Sequence, residues 1–278
     1  MTNRHNNLNV GVVDSLDYLP VIDAIESGEI LTGVNLIKDS PKGLHDRFLD
    51  GELDIAPLPS NEYAEHFKQC LILPDLSMIT RGDTSDLLLF SKVPVSQLDG
   101  KTICIPDTAV SSFVLLKILI NHYYQMQVNY CHKQPDLNEM LDNADAALLF
   151  GEQAILARDE FNGHILDLGK LWRDFTAEPM VYALWVVREE YAKQNPVQVD
   201  FMAKALHACR NLSMKNIPRL VEKAKHRYNL SPDMVEGYFK SIKSSFDQSD
   251  RKALLRYFAH AQICGLIPPK VTLKVWGE

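Results

Sequence analysis

Residues 41–58 read PKGLHDRFLDGELDIAPL and predict a helix followed directly by a strand. Leu44, Phe48 and Leu49 recur at the spacing of one helical face, and Gly51 stands where a helix C-cap is expected. The apolar run 53–58 then has the composition of a strand. Alternation of helix and strand is typical of a parallel α/β architecture.

The same alternation extends outward from this stretch. Residues 9–13 predict a first strand, and a helix over 21–26 follows Pro20. Further strands are predicted at 87–90, 102–105, 145–150 and 180–187, a helix at 111–124, and a helical tail at 199–212, 217–228, 231–244 and 250–264. This order predicts two lobes: residues 1–91 and 188–278 form the first, with the tail, and residues 92–187 form the second.

Composition excludes several classes of protein. The 278 residues carry a formal net charge of -7 with both signs interspersed, whereas nucleic-acid binding usually requires a basic patch. No apolar run approaches the roughly 20 residues that span a bilayer, and the polar start of the chain lacks the pattern of a secretion signal. We therefore expect a cytoplasmic protein that binds neither nucleic acid nor a membrane.

Common catalytic and metal-binding motifs are missing from the sequence. It has no GxGxxG, P-loop, GxSxG or HExxH pattern, the five cysteines form no CxxC pair, and the nine histidines show no ligand spacing. No metal site is predicted. Glu52 and Asp54 point to one side at the start of a strand, which indicates a solvated strand start more readily than an acid pair.

The segment DTAVSS at 107–112 follows a predicted strand and opens a strongly periodic helix. Hydroxyl groups and free backbone N–H groups converge at such a helix start, where the dipole favours negative charge. Ser111 and Ser112 therefore indicate either a plain helix cap or a seat for a carboxylate or phosphate.

Four separated segments together resemble one family. They are residues 41–63, residues 98–101 with Ser111 and Ser112, the ADAALLFGE stretch at 144–152, and the DLG…W…T…P…ALW pattern over 167–185. Across residues 8–188 the chain is thus similar to the menaquinone-biosynthesis enzymes related to chorismate dehydratase of the futalosine route. The resemblance implies an α/β, two-lobed type 2 periplasmic-binding-protein-like fold with C-terminal helices.

The resemblance also implies an activity. A carbon–oxygen lyase of this family removes water from chorismate to give 3-[(1-carboxyvinyl)oxy]benzoate, with a small-molecule carboxylate as its binding partner and without a metal or organic cofactor. Aromatisation drives the loss of the ring proton and hydroxyl, so the protein holds a reactive conformer and stabilises developing charge. In the family the enolpyruvyl carboxylate of the substrate is thought to act as the base.

Three acidic residues depart from the family pattern. Asp17 stands at the position of a functional Asn, Asp86 falls where a Ser is usual, with Ser85 adjacent, and Glu178 interrupts a TGLP segment. The resemblance assigns catalysis to Asp17 and Asp86, and substrate binding to Ser85, Ser111, Ser112 and Glu152.

Such acids repel a dianion unless they are protonated, paired with Arg81 or Arg173, or turned away. They keep a second hypothesis open: a diverged or non-catalytic relative whose cleft binds a neutral or cationic small molecule. A weaker third hypothesis is an enzyme of the sister branch that makes a naphthoate.

Overall fold

The computed structural model describes residues 8–28, 34–84, 86–243 and 245–278. The described strands form two sheets. The first has the order β11-β4-β10-β3-β1-β2, made of β1 (Leu8–Val12), β2 (Val34–Lys38), β3 (Ile55–Pro59), β4 (Cys70–Thr80), β10 (Met180–Arg188) and β11 (Ile242–Lys243). The second has the order β7-β6-β8-β5-β9, made of β5 (Leu87–Ser91), β6 (Thr102–Pro106), β7 (Asn129–Lys133), β8 (Ala146–Phe150) and β9 (His164–Asp167).

Helices pack on both sheets. They are α1 (Leu19–Glu26), α2 (Pro41–Leu49), α3 (Ser60–His66), α4 (Ser111–Lys117), α5 (Leu137–Asp142), α6 (Glu152–Arg158), α7 (Leu168–Thr176), α8 (Glu189–Gln194), α9 (Pro196–Met214), α10 (Ile217–Tyr228), α11 (Pro232–Ser241) and α12 (Gln248–Ile263). Of these, α9 to α12 correspond to the four predicted tail helices, with the short strand β11 between α11 and α12. A π-helical turn, Ile118–Tyr123, extends α4. Among the described residues, no helix combines the length and the apolar character needed to cross a membrane.

The helix and strand predicted from residues 41–58 are both present. Ser40 caps α2 by accepting a hydrogen bond from the Gly43 N–H, and Pro41 occupies the first turn. Gly51 ends the helix with a φ of +79°, the left-handed conformation that favours glycine. The strand then begins at Ile55, and β1 and β3 run parallel as predicted.

One hydrophobic cluster joins the two sheets. It contains Leu58 and Leu184 of the first sheet, Leu89 and Leu148 of the second, and the fully buried Trp172 of α7. A second cluster packs α1 and α9 against the other face of the first sheet. The two sheets are therefore held by shared apolar packing as well as by the chain crossings.

The chain passes between the two sheets at positions that differ from the predicted ones. The chain leaves the first sheet after Thr80, enters the second at Leu87, and returns between Asp167 and Met180. The boundaries expected at 91/92 and 187/188 place β5 with the first lobe and β10 with the second, whereas β5 pairs within the second sheet and β10 within the first. Both strands are almost wholly buried, so their apolar runs do not reveal which sheet they join. The division into two lobes itself stays a prediction.

Two further details differ from the sequence-based expectations. The eleven-residue β4 was not predicted, because Pro74 and Asp75 have the composition of a turn; Asp75 takes a φ of +56° inside the strand, where the pairing with β10 shifts register. Asp54 is not solvated: it is 9% exposed and pairs with Arg188 at 3.1 Å.

Candidate functional site

A cavity of about 560 Å³ lies between the two sheets. Its walls include Pro57 and Pro59 of β3 and Tyr182 of β10 on one side, and Leu87 of β5 and Phe150 of β8 on the other. This volume falls within the range of small-molecule binding sites. Polar side chains in the walls come from the ends of strands and the starts of helices.

Three carboxyl groups meet in this cavity from distant parts of the chain. Asp17 lies in a 3₁₀ turn after β1, Asp86 precedes β5, and Glu152 is the first residue of α6. The Leu16 N–H donates a hydrogen bond to Glu152 Oε1 at 3.0 Å, and Ser15 Oγ donates to Asp17 Oδ2 at 3.4 Å. The turn after β1 is thereby joined to α6 across the cavity.

Burial, together with neighbouring acids, raises the pKa values of Asp17 and Asp86. Burial, with Glu152 nearby, raises the pKa of Asp17 to about 7. Burial, followed by the charge of Asp17, raises the pKa of Asp86 well above its ordinary value. The Oδ1 atom of Asp17 is enclosed and has no hydrogen-bond partner within the described ranges. These two carboxyl groups therefore retain protons at pH values where a surface aspartate is ionised.

Neither of the expected arginine partners lies in the cavity. Arg173 Nη1 donates a hydrogen bond to the Arg81 carbonyl at 2.6 Å, outside the cavity walls. Within the part of the chain that the structure describes, no Lys or Arg side chain lines the cavity. For Asp17 and Asp86 the raised pKa values favour protonation, whereas Glu178 lies outside the cavity walls.

Ser111 and Ser112 line the same cavity, together with Thr108. They are the first two residues of α4, and the residue at its N-cap is Val110, without a capping side chain. The serines are therefore not a conventional N-cap, and their hydroxyls lie at the cavity wall. The predicted Ser85 lies outside the described residues. Glu178 does not line the cavity.

Four tyrosines in the walls had no signal in the sequence, and one of them, Tyr18, follows Asp17 in the 3₁₀ turn. Tyr182 comes from β10, whereas Tyr228 and Tyr238 come from the helical tail. The Tyr228 hydroxyl donates to Asp14 Oδ1 at 3.2 Å, and burial raises the pKa of Tyr182. The tail was expected only to pack on the first lobe, but its α10 and α11 also close one side of the cavity.

Comparisons with known proteins agree with this architecture. A family model described as menaquinone biosynthesis matches residues 8–262. A chorismate dehydratase of Thermus thermophilus is 24% identical over 247 residues, which covers 83% of this chain and 88% of that protein.

Among solved structures, a protein of Archaeoglobus fulgidus has a TM-score of 0.80 at 19% identity, over 95% of this chain and 100% of the other. The periplasmic aliphatic sulphonate binding protein of Escherichia coli has a TM-score of 0.71 at 12% identity, over 97% of each chain. These likenesses confirm the predicted periplasmic-binding-protein-like α/β fold.

Proposed function

Because the chain belongs to the menaquinone biosynthesis family, we propose that it is a hydro-lyase that removes water from chorismate in the cavity between its sheets. The observation that carries this proposal is that Asp17 and Asp86, whose pKa values are raised, line one cavity together with Ser111 and Ser112. The same family and the chorismate dehydratase relative favour a cytoplasmic biosynthetic role.

Binding of a dianion in a cavity without a lining cation needs hydrogen-bond donors. A protonated carboxyl group donates one hydrogen bond, whereas an ionised carboxylate only accepts. In this proposal Asp17 takes the place of the family's Asn by donating its proton to a substrate oxygen. Ser111 and Ser112 donate further hydrogen bonds, each strengthened by the charge of the acceptor.

The reaction breaks two bonds between ring carbons and their substituents, and it balances without an external reactant. The ring C3–H proton passes to the substrate's own enolpyruvyl carboxylate, the C4–O bond breaks, and the departing hydroxide takes a proton to become water. Asp86, whose pKa is raised well above its ordinary value, is our choice for the donor of that proton. The proton first taken by the enolpyruvyl carboxylate then restores Asp86.

The test is incubation of purified protein with chorismate, followed by mass analysis. Turnover gives a product lighter by the mass of one water, with the ultraviolet spectrum of a substituted benzoate. Asp86→Asn removes the proton donor while keeping its size, and is expected to slow the reaction by about 100-fold or more. Unchanged chorismate with the wild-type protein, and no thermal stabilisation by chorismate, would exclude the proposal.

A second candidate function rests on the same acids in their ionised form. Three carboxyl groups without a lining cation among the described residues would favour a neutral or cationic small molecule over a dianion. In that case the protein is a diverged, non-catalytic relative. The test measures the thermal unfolding temperature with each of a panel of amines and neutral metabolites. If this function is correct, a member of the panel raises that temperature by mass action, while chorismate does not.

A further inference from the structure

Two histidines and a glutamate meet on the outer side of the first sheet's helices. His45 lies in the middle of α2, and Glu62 and His66 are one turn apart on α3. One ligand-type atom from each of the three lies within 4.8 Å of the others. None of the three lines the cavity between the sheets.

Packing of the two helices brings these groups together. Leu44 and Phe48 bury the inner face of α2 against the core, which leaves His45 at the side that faces α3. Residues four apart lie on one face of a helix, so Glu62 and His66 point the same way. The sequence separates His45 from Glu62 by seventeen positions, and for this reason the cluster has no linear motif.

His45 and Glu62 form an imidazole–carboxylate pair within the cluster. His45 Nε2 and Glu62 Oε2 are 2.8 Å apart, yet both atoms are enclosed and have no hydrogen-bond partner of acceptable geometry among the described residues. The rings of His45 and His66 are tilted, with centroids 5.1 Å apart. The cluster therefore contains a second imidazole next to the His45–Glu62 pair.

We propose that His45, Glu62 and His66 bind a divalent transition-metal ion, with Zn²⁺ the best-suited ion. Two imidazole nitrogens and one carboxylate oxygen form a ligand set that suits zinc, whereas Mg²⁺ and Ca²⁺ prefer oxygen ligands alone. Tetrahedral ligands about 2.0–2.2 Å from zinc lie about 3.3–3.6 Å apart. Small side-chain rotations therefore bring the three atoms into place.

Surrounding groups are also those of a metal site. His45 Nδ1 lies 3.5 Å from Asp46 Oδ1, so a carboxylate stands behind a ligand imidazole, as is usual for metal-bound histidine. The side chains of His45 and Glu62 keep 16% and 12% of their surface exposed, which leaves room for a water as fourth ligand. The ion would cross-link α2 and α3, whose N-terminal ends adjoin the cavity at Pro41 and Pro59.

The experiment titrates Zn²⁺ into tag-free, chelator-treated protein at about pH 8, above the ordinary pKa of an imidazole. Calorimetry is expected to give one Zn²⁺ per chain, and Co²⁺ in its place is expected to give the visible absorption of a tetrahedral site. His66→Gln and Glu62→Gln should each weaken Zn²⁺ binding by at least about tenfold. Two variants are used so that the test still holds if one of them misfolds. Unfolding curves recorded without metal show whether each variant is folded.

The matched control is His226→Gln. His226 Nε2 also contacts a glutamate one turn away, Glu222 Oε1 at 2.7 Å, but no second histidine joins that pair in the described structure. This variant should bind Zn²⁺ as the wild type does. Absence of stoichiometric binding at micromolar Zn²⁺, or equal affinity in folded His66→Gln and Glu62→Gln variants, overturns the metal site. The chorismate assay has no part in this measurement, so the two proposals fail separately.

Discussion

At the scale of single residues, Asp17 links protonation to stability. Its pKa is about 7 in the folded protein, against an ordinary value of 3.8. The folded state thus holds a proton that the unfolded state releases between these values. The stability associated with the protonated carboxyl is complete below about pH 4 and is lost as pH rises through about 7.

We therefore expect the midpoint of thermal unfolding to fall between pH 5 and pH 8, and Asp17→Asn to flatten this fall because an amide does not ionise. Differential scanning fluorimetry across this range measures it. Asp39→Asn is the control, since hydrogen bonds from Ser40 and Arg47 lower the pKa of Asp39 and it does not titrate there. If the unfolding midpoint depends on pH equally in the wild type and in Asp17→Asn, the raised pKa of Asp17 is contradicted. If the protein is a dehydratase, its turnover should also fall as pH rises, and Asp17→Asn should flatten that fall.

The hydroxyls of Ser111 and Ser112 allow a second test at this scale. If they hold a substrate carboxylate, replacing both with Ala weakens chorismate binding by about 1–3 kcal/mol, the range for hydrogen bonds to charged groups. Calorimetric titration measures the change. Ser96→Ala, at an exposed serine away from the cavity, is expected to leave affinity unchanged. A double variant that binds as tightly as the wild type would leave these serines without a role in binding.

At the scale of elements, the first crossing packs against the start of α7. The Thr84 N–H donates to Asp167 Oδ2 at 2.8 Å, and the Lys170 N–H donates to Asp167 Oδ1 at 3.0 Å, so one carboxylate caps the helix and holds the crossing. Gly169 makes this approach possible. A Cβ there would lie 2.3 Å from Thr84 Cγ2 and 2.7 Å from the Gly82 carbonyl oxygen.

Gly169→Ala is therefore expected to destabilise the protein by about 1–3 kcal/mol, because the backbone has to move. The control is Gly237→Ala on the exposed face of α11, where an added Cβ meets no atom within 4 Å. Alanine is the better helix former, so this variant should gain up to about 1 kcal/mol. Urea unfolding measures both. If Gly169→Ala leaves the free energy of unfolding unchanged, the backbone around Gly82 and Thr84 can move at little cost.

At the scale of the whole molecule, the chain returns from the second sheet through β10, between β3 and β4. Asp54 fixes the end of this return: its carboxylate accepts hydrogen bonds from the Asn9 N–H at 3.0 Å and from Arg188 Nη2 at 3.1 Å. Arg188 Nε also donates to the Leu53 carbonyl at 2.9 Å. Residues 134 positions apart are thus joined at the centre of the first sheet.

Asp54→Ala should cost about 2–4 kcal/mol, because it leaves a half-buried guanidinium and a backbone N–H without their partner. Glu52→Ala is the control: Glu52 pairs with Arg47 at the surface, and its loss should cost less than about 1 kcal/mol. Chemical unfolding measures the two variants. Similar costs would mean that the contact with Arg188 is no stronger than a surface ion pair.

Much of this protein follows from its sequence. The helix and strand within residues 41–59 were predictable because periodicity, an N-terminal proline and a C-terminal glycine act within a few residues of one another. Asp17, Asp86 and Glu152 were selected through a family resemblance, and Ser111 and Ser112 also through their position at a helix start; the structure brings all five to one cavity. Their functional roles remain the proposal made above.

Other properties depended on the tertiary structure. The raised pKa values of Asp17 and Asp86 arise from burial and from the charges of acidic residues far away in the chain, Glu152 for Asp17 and Asp17 for Asp86. Membership of β5 and β10 in their sheets, and the meeting of His45 with His66, depend on long-range packing in the same way. Sequence by itself determined the local elements and the family, since those signals are short-range. The pKa shifts and the meeting of distant side chains were decided by the fold. They depend on distances between residues, and the order of residues in the chain does not specify those distances.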